Sequence, residues 1–169
     1  MSIEAVRKFL ERKAPHIEII EMDTITATVA EAAQAHGVRP AQIAKTLSLS
    51  AGGPPFVLVT SGNAKLDNKK AKHAFGAKIR MLRREEVEAA TGHPIGGVCP
   101  FGLPSAVRVY CDVSLKSMDE VLPAAGTVNA AIRISPSCMA AITGATWVDV
   151  CSPLRDDEAR LSSISGGQS

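Results

Sequence analysis

The stretch TGHPIGGVCPFG, residues 91–102, holds four glycines and two prolines within twelve positions. Glycine lets the backbone approach a ligand closely, whereas proline fixes φ and reduces the freedom of a loop. The stretch therefore predicts a loop that presents backbone N–H groups to a phosphate, a carboxylate or the oxyanion of an acyl-transfer intermediate. The alternative is an ordinary tight connection between a helix and a strand at 106–112, for which turn chemistry suffices.

The composition is that of a globular protein, with 46% hydrophobic and 21% charged residues among 169. We expect one domain at residues 1–152, because a chain of this length buries about 70% of its unfolded surface. The polar segment 153–169 is predicted to be a disordered tail. Only six residues are aromatic, so base stacking is not expected to dominate any RNA contact. The net charge of +2 neither requires nor excludes a polyanionic partner.

The chain is expected to act in the cytoplasm without a membrane partner. No apolar run approaches the roughly 20 residues that span a bilayer, and charges interrupt residues 1–12, so no signal peptide is predicted. The four cysteines are widely spaced and are expected to be reduced. They are Cys99, Cys111, Cys138 and Cys151. The histidines show no metal-ligand spacing, and no metal or cofactor is predicted.

Capping signals and hydrophobic periodicity predict an α/β protein with a mixed sheet packed among helices. Helices are predicted at residues 3–12, 28–36, 40–43, 68–75, 84–90 and 136–143. Strands are predicted at residues 16–22, 45–50, 56–60, 77–82, 107–111, 120–124, 130–135 and 147–150. The strands at 45–50 and 56–60 are expected to form a hairpin with a long loop.

Lys45 lies among apolar residues where a strand enters the fold. A lysine there can reach a phosphate or carboxylate as a compact charge. The alternative is an edge-strand lysine that discourages association between sheets.

His93 and Cys99 share the glycine-rich loop and are candidates for a nucleophilic pair. A reactive thiol needs a nearby base or cation, and a simply packed thiol is the alternative.

Residues 65–84 contain eight basic residues and a single acidic residue, Asp67. They are Lys65, Lys69, Lys70, Lys72, Lys78, Arg80, Arg83 and Arg84. This stretch could follow a nucleic-acid backbone through phosphate contacts, or it could simply form a solvated surface.

Three motifs occur together in an order that resembles the YbaK-like aminoacyl-tRNA editing family, also called the prolyl-tRNA-synthetase-associated domain. They are IAKTL at 43–47, SGN at 61–63 and T-G-x-x-x-G-G-x-x-P-x-G at 91–102. The resemblance covers about residues 3–150. It implies a mixed, partly barrel-like sheet surrounded by helices, and a free-standing hydrolase that deacylates mischarged aminoacyl-tRNA in trans.

The resemblance also implies the residues of the site. Lys45 would position the acylated 3′ end, and the loop would contact the aminoacyl carbonyl through Gly96, Gly97, Val98, Cys99 and Pro100. Further substrate-binding residues would be Thr46, Ser61, Asn63, Thr91, Ile95, Phe101 and Gly126. Among these, Ile95 and Phe101, together with Val98, are expected to line the amino-acid pocket. Contacts to tRNA are expected from Lys65, Lys69, Lys70 and Lys72.

The implied partner is an aminoacyl-tRNA, with tRNA(Pro) preferred and with prolyl-tRNA synthetase or an elongation factor as further candidates. Cysteinyl-tRNA deacylases of this family show G-K-R-G-x-D where this chain has Gly126 followed by TVNAA, so the aspartate position falls on Ala131. The amino acid removed therefore stays open among alanine, cysteine, serine and threonine. Two other functions remain as alternatives, a non-catalytic tRNA-binding protein of the same fold and a thiol enzyme that uses Cys99.

Overall fold

The computed structural model describes residues 2–152, so the predicted tail at 153–169 lies outside the described residues. The helices are α1 (Ser2–Lys13), α2 (Val29–His36), α3 (Asn68–Phe75), α4 (Arg84–Thr91) and α5 (Pro136–Thr143). Short 3₁₀ turns span Pro40–Gln42 and Val113–Ser117. The strands are β1 (Ile20–Glu21), β2 (Ile43–Ser50), β3 (Phe56–Ser61), β4 (Lys65–Leu66), β5 (Arg80–Met81), β6 (Arg108–Asp112), β7 (Leu122–Pro123), β8 (Ala130–Ala131), β9 (Thr146–Val148) and β10 (Cys151–Ser152).

The helix ends lie where the capping signals predict them. Thr28 and Glu31 form a capping box at the start of α2, and the Asp67 carboxylate accepts hydrogen bonds at the start of α3. Gly37 and Gly76 end these helices in the left-handed conformation that glycine adopts without strain.

The main sheet is mixed, as predicted, in the order β5-β2-β3-β6-β9. β2 pairs antiparallel with β3 and β5, which confirms the hairpin, whereas β3, β6 and β9 run parallel to one another. Among the described strands, β5 and β9 form the two ends of this path and do not pair with each other. The mixed sheet surrounded by helices is therefore confirmed, and its description as partly barrel-like holds only loosely, because these strands do not close into a barrel.

The two faces of the sheet are buried against different elements. Val57 and Val59 are completely buried in the larger core, which α1 covers. Leu49 and Leu58 are completely buried on the other face, where α3 packs. Each such aliphatic side chain contributes about 1.5–3 kcal/mol when it leaves water.

Several predicted strands are much shorter in the structure. The segments 16–22, 77–82, 120–124 and 130–135 contain only the two-residue strands β1, β5, β7 and β8, and 147–150 contains part of β9. Alternation of apolar residues shows which side chains are buried but not where a neighbouring strand ends. In β7, Pro123 also lacks the N–H that a longer ladder would need.

One edge of β2 is covered in two separate pieces. β7 pairs parallel with Ile43 and Ala44, and β5 pairs antiparallel with Leu49 and Ser50. Leu82, directly after β5, still donates its N–H to the Ser48 carbonyl at 2.9 Å, so within the described part of the chain the unpaired middle of this edge is residues 45–47. This gap positions the candidate site.

Candidate functional site

A cavity of about 360 Å³ opens at the gap in the edge of β2. Thr28, Ala32 and His36 form one stripe of α2 along the cavity, because they are spaced four residues apart. The middle of β2, the start of α4 and the glycine-rich loop complete the wall. The cavity therefore joins the two sequence motifs, at 43–47 and at 91–102, that lie far apart along the chain.

The loop rests directly on backbone. A Cβ at Gly97 would lie 2.7 Å from Gly126 C and Thr127 N, and the Gly126 N–H donates to the Gly97 carbonyl at 3.0 Å. Gly96 has a φ of +90°, and a Cβ there would lie 2.9 Å from Ala27 Cβ. Both positions therefore require glycine, for space at Gly97 and for space and conformation at Gly96.

The N–H groups of the loop differ in their availability. The Gly97 N–H donates to the Pro94 carbonyl at 2.9 Å and closes a turn, so it is already used. Gly96 and Val98 both line the cavity, and their N–H groups make no hydrogen bond with any of residues 2–152. Unpaired N–H groups at a cavity are suitable donors for a developing oxyanion. Cys99 does not line the cavity, so Gly96 and Val98 are left as the candidate donors of the loop.

Lys45 and Thr46 leave β2 on opposite faces of the sheet. Thr46 pairs with Val59 of the larger core, whereas Lys45 pairs with Thr60. Successive side chains of a strand point to opposite faces. The Lys45 Nζ donates to the Ala64 carbonyl at 2.8 Å. Lys45 is half-buried and contributes to the cavity wall, and burial lowers the pKa of its ammonium.

Two residues of the cavity wall carry buried polar atoms that have no hydrogen-bond partner among residues 2–152. They are Thr46, through Oγ1, and His36, through Nε2. Burial and, secondarily, the charge of Arg133 lower the pKa of His36, so its ring is neutral at pH 7. Sequence reasoning missed His36, because a single histidine at the end of a helix carries no spacing signal.

Ile95, Gly96 and Val98 line the cavity together with Lys45 and Thr46, whereas other predicted site residues lie beside it or behind it. Phe101 is completely buried in the larger core, 5.9 Å from Phe9 between ring centroids, and its side chain does not line the pocket. Cys99 and Pro100 are buried as well.

Ser61, Asn63 and Thr91 hold backbone turns. Ser61 Oγ lies 2.7 Å from the Ala41 carbonyl and 3.1 Å from Asn63 Oδ1, at the end of β3. Thr91 Oγ1 donates to the Val87 carbonyl at 2.8 Å, at the end of α4, where the glycine-rich loop begins. These residues and Gly126 support the wall of the cavity from outside it.

Cys99 and His93 do approach each other, at 3.5 Å between Sγ and Nε2. The same Nε2 lies 2.7 Å from the Phe101 carbonyl, which can only accept, so we assign the ring proton to Nε2. Nδ1 is in turn hydrogen-bonded to Ser2 Oγ. Neither nitrogen is free to take the thiol proton, and complete burial raises the pKa of Cys99 to about 12. The pair is part of the core and has the properties of an unreactive thiol.

His93 makes the stability of the fold depend on pH. Burial lowers its pKa below the ordinary value of 6.5, and the Phe101 hydrogen bond only partly opposes this. Below pH 6.5 the unfolded chain binds a proton at this site that the folded chain does not bind. The free energy of unfolding is therefore expected to fall between pH 7 and pH 5 in denaturant titrations. His93→Gln should have a weaker pH dependence of unfolding free energy than wild type; equal slopes in the two proteins would contradict the assignment.

The basic stretch is divided by the fold. Lys65, Lys69, Lys70 and Lys72 lie on β4 and α3. Helix α3 packs on the sheet face opposite Thr46. Lys70 Nζ is engaged with Asp149 at 3.2 Å and with the Cys151 carbonyl at 3.1 Å. Alternation along β2 puts Lys45 on the same sheet face as α3, but none of these four lysines lines the cavity. No helix within residues 2–152 has the length and apolar character needed to cross a membrane.

Comparisons with known proteins agree with the resemblance. The family model of the aminoacyl-tRNA editing domain matches residues 24–141, which include every residue of the cavity wall. The chain is 44% identical over 153 residues to the uncharacterized protein YwhH of Bacillus subtilis (strain 168), which covers 89% of this chain and 98% of that protein. The chain belongs to the aminoacyl-tRNA editing domain family.

Two further similar proteins have descriptions that name a function. EbsC of Enterococcus faecalis (strain ATCC 700802 / V583), described as a candidate Cys-tRNA(Pro)/Cys-tRNA(Cys) deacylase, is 29% identical over 121 residues, which cover 70% of this chain and 73% of EbsC. A solved structure described as a candidate trans-editing enzyme for prolyl tRNA synthetase has a TM-score of 0.83 and 35% identity, covering 90% of this chain and 98% of that one.

Proposed function

We propose that this chain hydrolyses the ester bond of a mischarged aminoacyl-tRNA in trans, in the cytoplasm, with tRNA(Pro) as the preferred carrier. The observation that carries the proposal is that two N–H groups at the cavity, on Gly96 and Val98, donate to none of residues 2–152, in a chain of the editing family. The choice of tRNA(Pro) is supported by the similarity to EbsC, described as a candidate Cys-tRNA(Pro)/Cys-tRNA(Cys) deacylase, and to the structure described as a candidate trans-editing enzyme for prolyl tRNA synthetase.

The chemistry needs little from the side chains because the ester is already activated. Water attacks the carbonyl carbon, and the resulting tetrahedral oxyanion accepts hydrogen bonds from the Gly96 and Val98 N–H groups. Collapse breaks the bond to the ribose oxygen, which takes up a proton, and releases the free amino acid. The neighbouring ribose hydroxyl or the α-amine of the substrate can assist the attacking water.

Lys45 anchors the acylated 3′ end in this proposal. Its flexible stem starts beside the open edge of β2, and its ammonium is held by a single carbonyl at 2.8 Å. We infer that a phosphate oxygen of the tRNA replaces this carbonyl. An ammonium that is half-buried gains more from an anionic partner than from a neutral one.

Single-turnover deacylation of purified mischarged tRNAs tests the proposal. The panel comprises Ala-, Cys-, Ser- and Thr-tRNA(Pro), with correctly charged Pro-tRNA(Pro) as the specificity control. Cleavage of a mischarged species and sparing of Pro-tRNA(Pro) is the expected result. Binding of these tRNAs without cleavage would favour the alternative, a non-catalytic tRNA-binding protein.

Cys99→Ala separates ester editing from thiol catalysis. We expect deacylation to stay within about threefold of wild type, because the thiol is buried and protonated. The loss of its sulfur from the core should cost about 1 kcal/mol of unfolding free energy, measured by denaturant titration. Cys138→Ala is the matched control outside the loop. Complete loss of cleavage in a folded Cys99→Ala protein would show that the thiol takes part in the reaction.

A further inference from the structure

The charge of the cavity wall is entirely positive. Its charged residues are Lys45 and Arg84, and no carboxylate from the described part of the chain lies in it. This positive charge strengthens the binding of a polyanion and weakens the binding of a cation. Lys45 already has a place in the proposed function, but Arg84 does not.

Arg84 differs from the two arginines that precede it. Arg80 Nη1 lies 3.0 Å from Glu86 Oε2, and Arg83 Nη2 lies 3.1 Å from Glu86 Oε1. The Glu86 carboxylate also accepts from the Arg83 N–H at 2.8 Å, and these donors lower its pKa to about 2. Glu86 is thereby fully occupied. The guanidinium of Arg84 forms no ion pair or hydrogen bond with any of residues 2–152.

Exposed apolar side chains accompany Arg84 in the cavity wall. Met81 is 56% exposed and Ile95 is 42% exposed, although both are large and apolar. Apolar side chains would not contribute to the binding of an inorganic anion. A nucleotide combines an anionic phosphate with an apolar base and ribose, and single-stranded RNA ends are bound by arginine and apolar surfaces together.

We propose that Arg84 binds the phosphate that joins the last two nucleotides of the tRNA, while Met81 and Ile95 pack against the terminal nucleoside. This inference rests on the proposed function, since it places the ester of that nucleoside beside the glycine-rich loop. It assigns the 3′ end to Arg84 at the start of α4, and not to the lysines of α3, none of which lines the cavity.

Binding of uncharged tRNA(Pro) tests the assignment in a thermodynamic cycle. Fluorescence anisotropy compares the complete tRNA with one that lacks its terminal nucleotide and the attached phosphate. For wild type, removal of that nucleotide should weaken binding about tenfold, as expected for a charged hydrogen-bonded contact. Arg84→Ala should weaken binding of the complete tRNA, and removal of the terminal nucleotide should then cost this variant less than it costs wild type, because only the nucleoside contacts of Met81 and Ile95 are left to lose. For Arg84→Ala, the slope of log K against log salt concentration should be smaller in magnitude by about 0.7 than for wild type.

Arg12→Ala is the control, because Arg12 is an exposed helical arginine of α1 outside the cavity. It should behave as wild type. The assignment would be overturned if the affinity losses from Arg84→Ala and from removal of the terminal nucleotide were additive. It would also be overturned if wild-type affinity did not depend on the terminal nucleotide. Because uncharged tRNA is used, the result does not depend on turnover. If the protein passes this binding test but cleaves no ester, the proposed hydrolysis is refuted while the assignment of Arg84 stands.

Discussion

Gly97→Ala is expected to lower single-turnover deacylation at least about a hundredfold and to destabilise the fold by roughly 1–3 kcal/mol. The new Cβ would lie 2.7 Å from Gly126 C and Thr127 N, and 2.8 Å from Thr127 Cα. These atoms belong to backbone, so no side-chain rotation relieves the contact. Either the loop or the 126–127 peptide must move, and the Gly96 and Val98 N–H groups move with the loop. Displacement of about 1 Å is enough for a loss of this size.

Gly53→Ala is the matched control for this prediction. A Cβ at Gly53 meets no atom within 4 Å, and its φ is not in the left-handed region. Its deacylation rate should equal that of wild type, and its unfolding free energy should rise slightly or stay the same. A Gly97→Ala protein with wild-type rate and stability would show that the loop does not need its close contact with residues 126–127.

Lys45→Ala is expected to lower single-turnover deacylation about a hundredfold while the protein stays folded. The reaction loses the group that holds the acylated end in line, and misplacement by about 1 Å costs this much. Folding loses one hydrogen bond, to the Ala64 carbonyl, which is worth about 1 kcal/mol. Removal of a half-buried charge offsets part of that cost.

Lys45→Met separates the charge from the packing, because methionine retains an unbranched apolar stem. Both Lys45 variants should lose activity alike, whereas exposed Lys8→Ala on α1 should not change it. An unchanged single-turnover rate in Lys45→Ala would remove this residue from the site. Circular dichroism and denaturant titration of each variant distinguish lost catalysis from lost structure.

Local sequence signals determined the helices and the central hairpin. Capping residues such as Thr28 and Asp67 act on backbone groups within three positions, so their effect can be predicted without the tertiary fold. The glycine-rich loop and the IAKTL motif likewise indicated the family, which the match at residues 24–141 confirms.

Only the tertiary structure decided which parts of these motifs face the cavity. It paired β7 and β5 with the two ends of β2 and left a gap between them, and this gap depends on contacts between distant segments. It placed the Phe101 side chain in the core. It paired Glu86 with Arg80 and Arg83, whereas Arg84 pairs with none of residues 2–152. Sequence spacing determines which residues are close along the chain, but burial and charge pairing depend on packing across it.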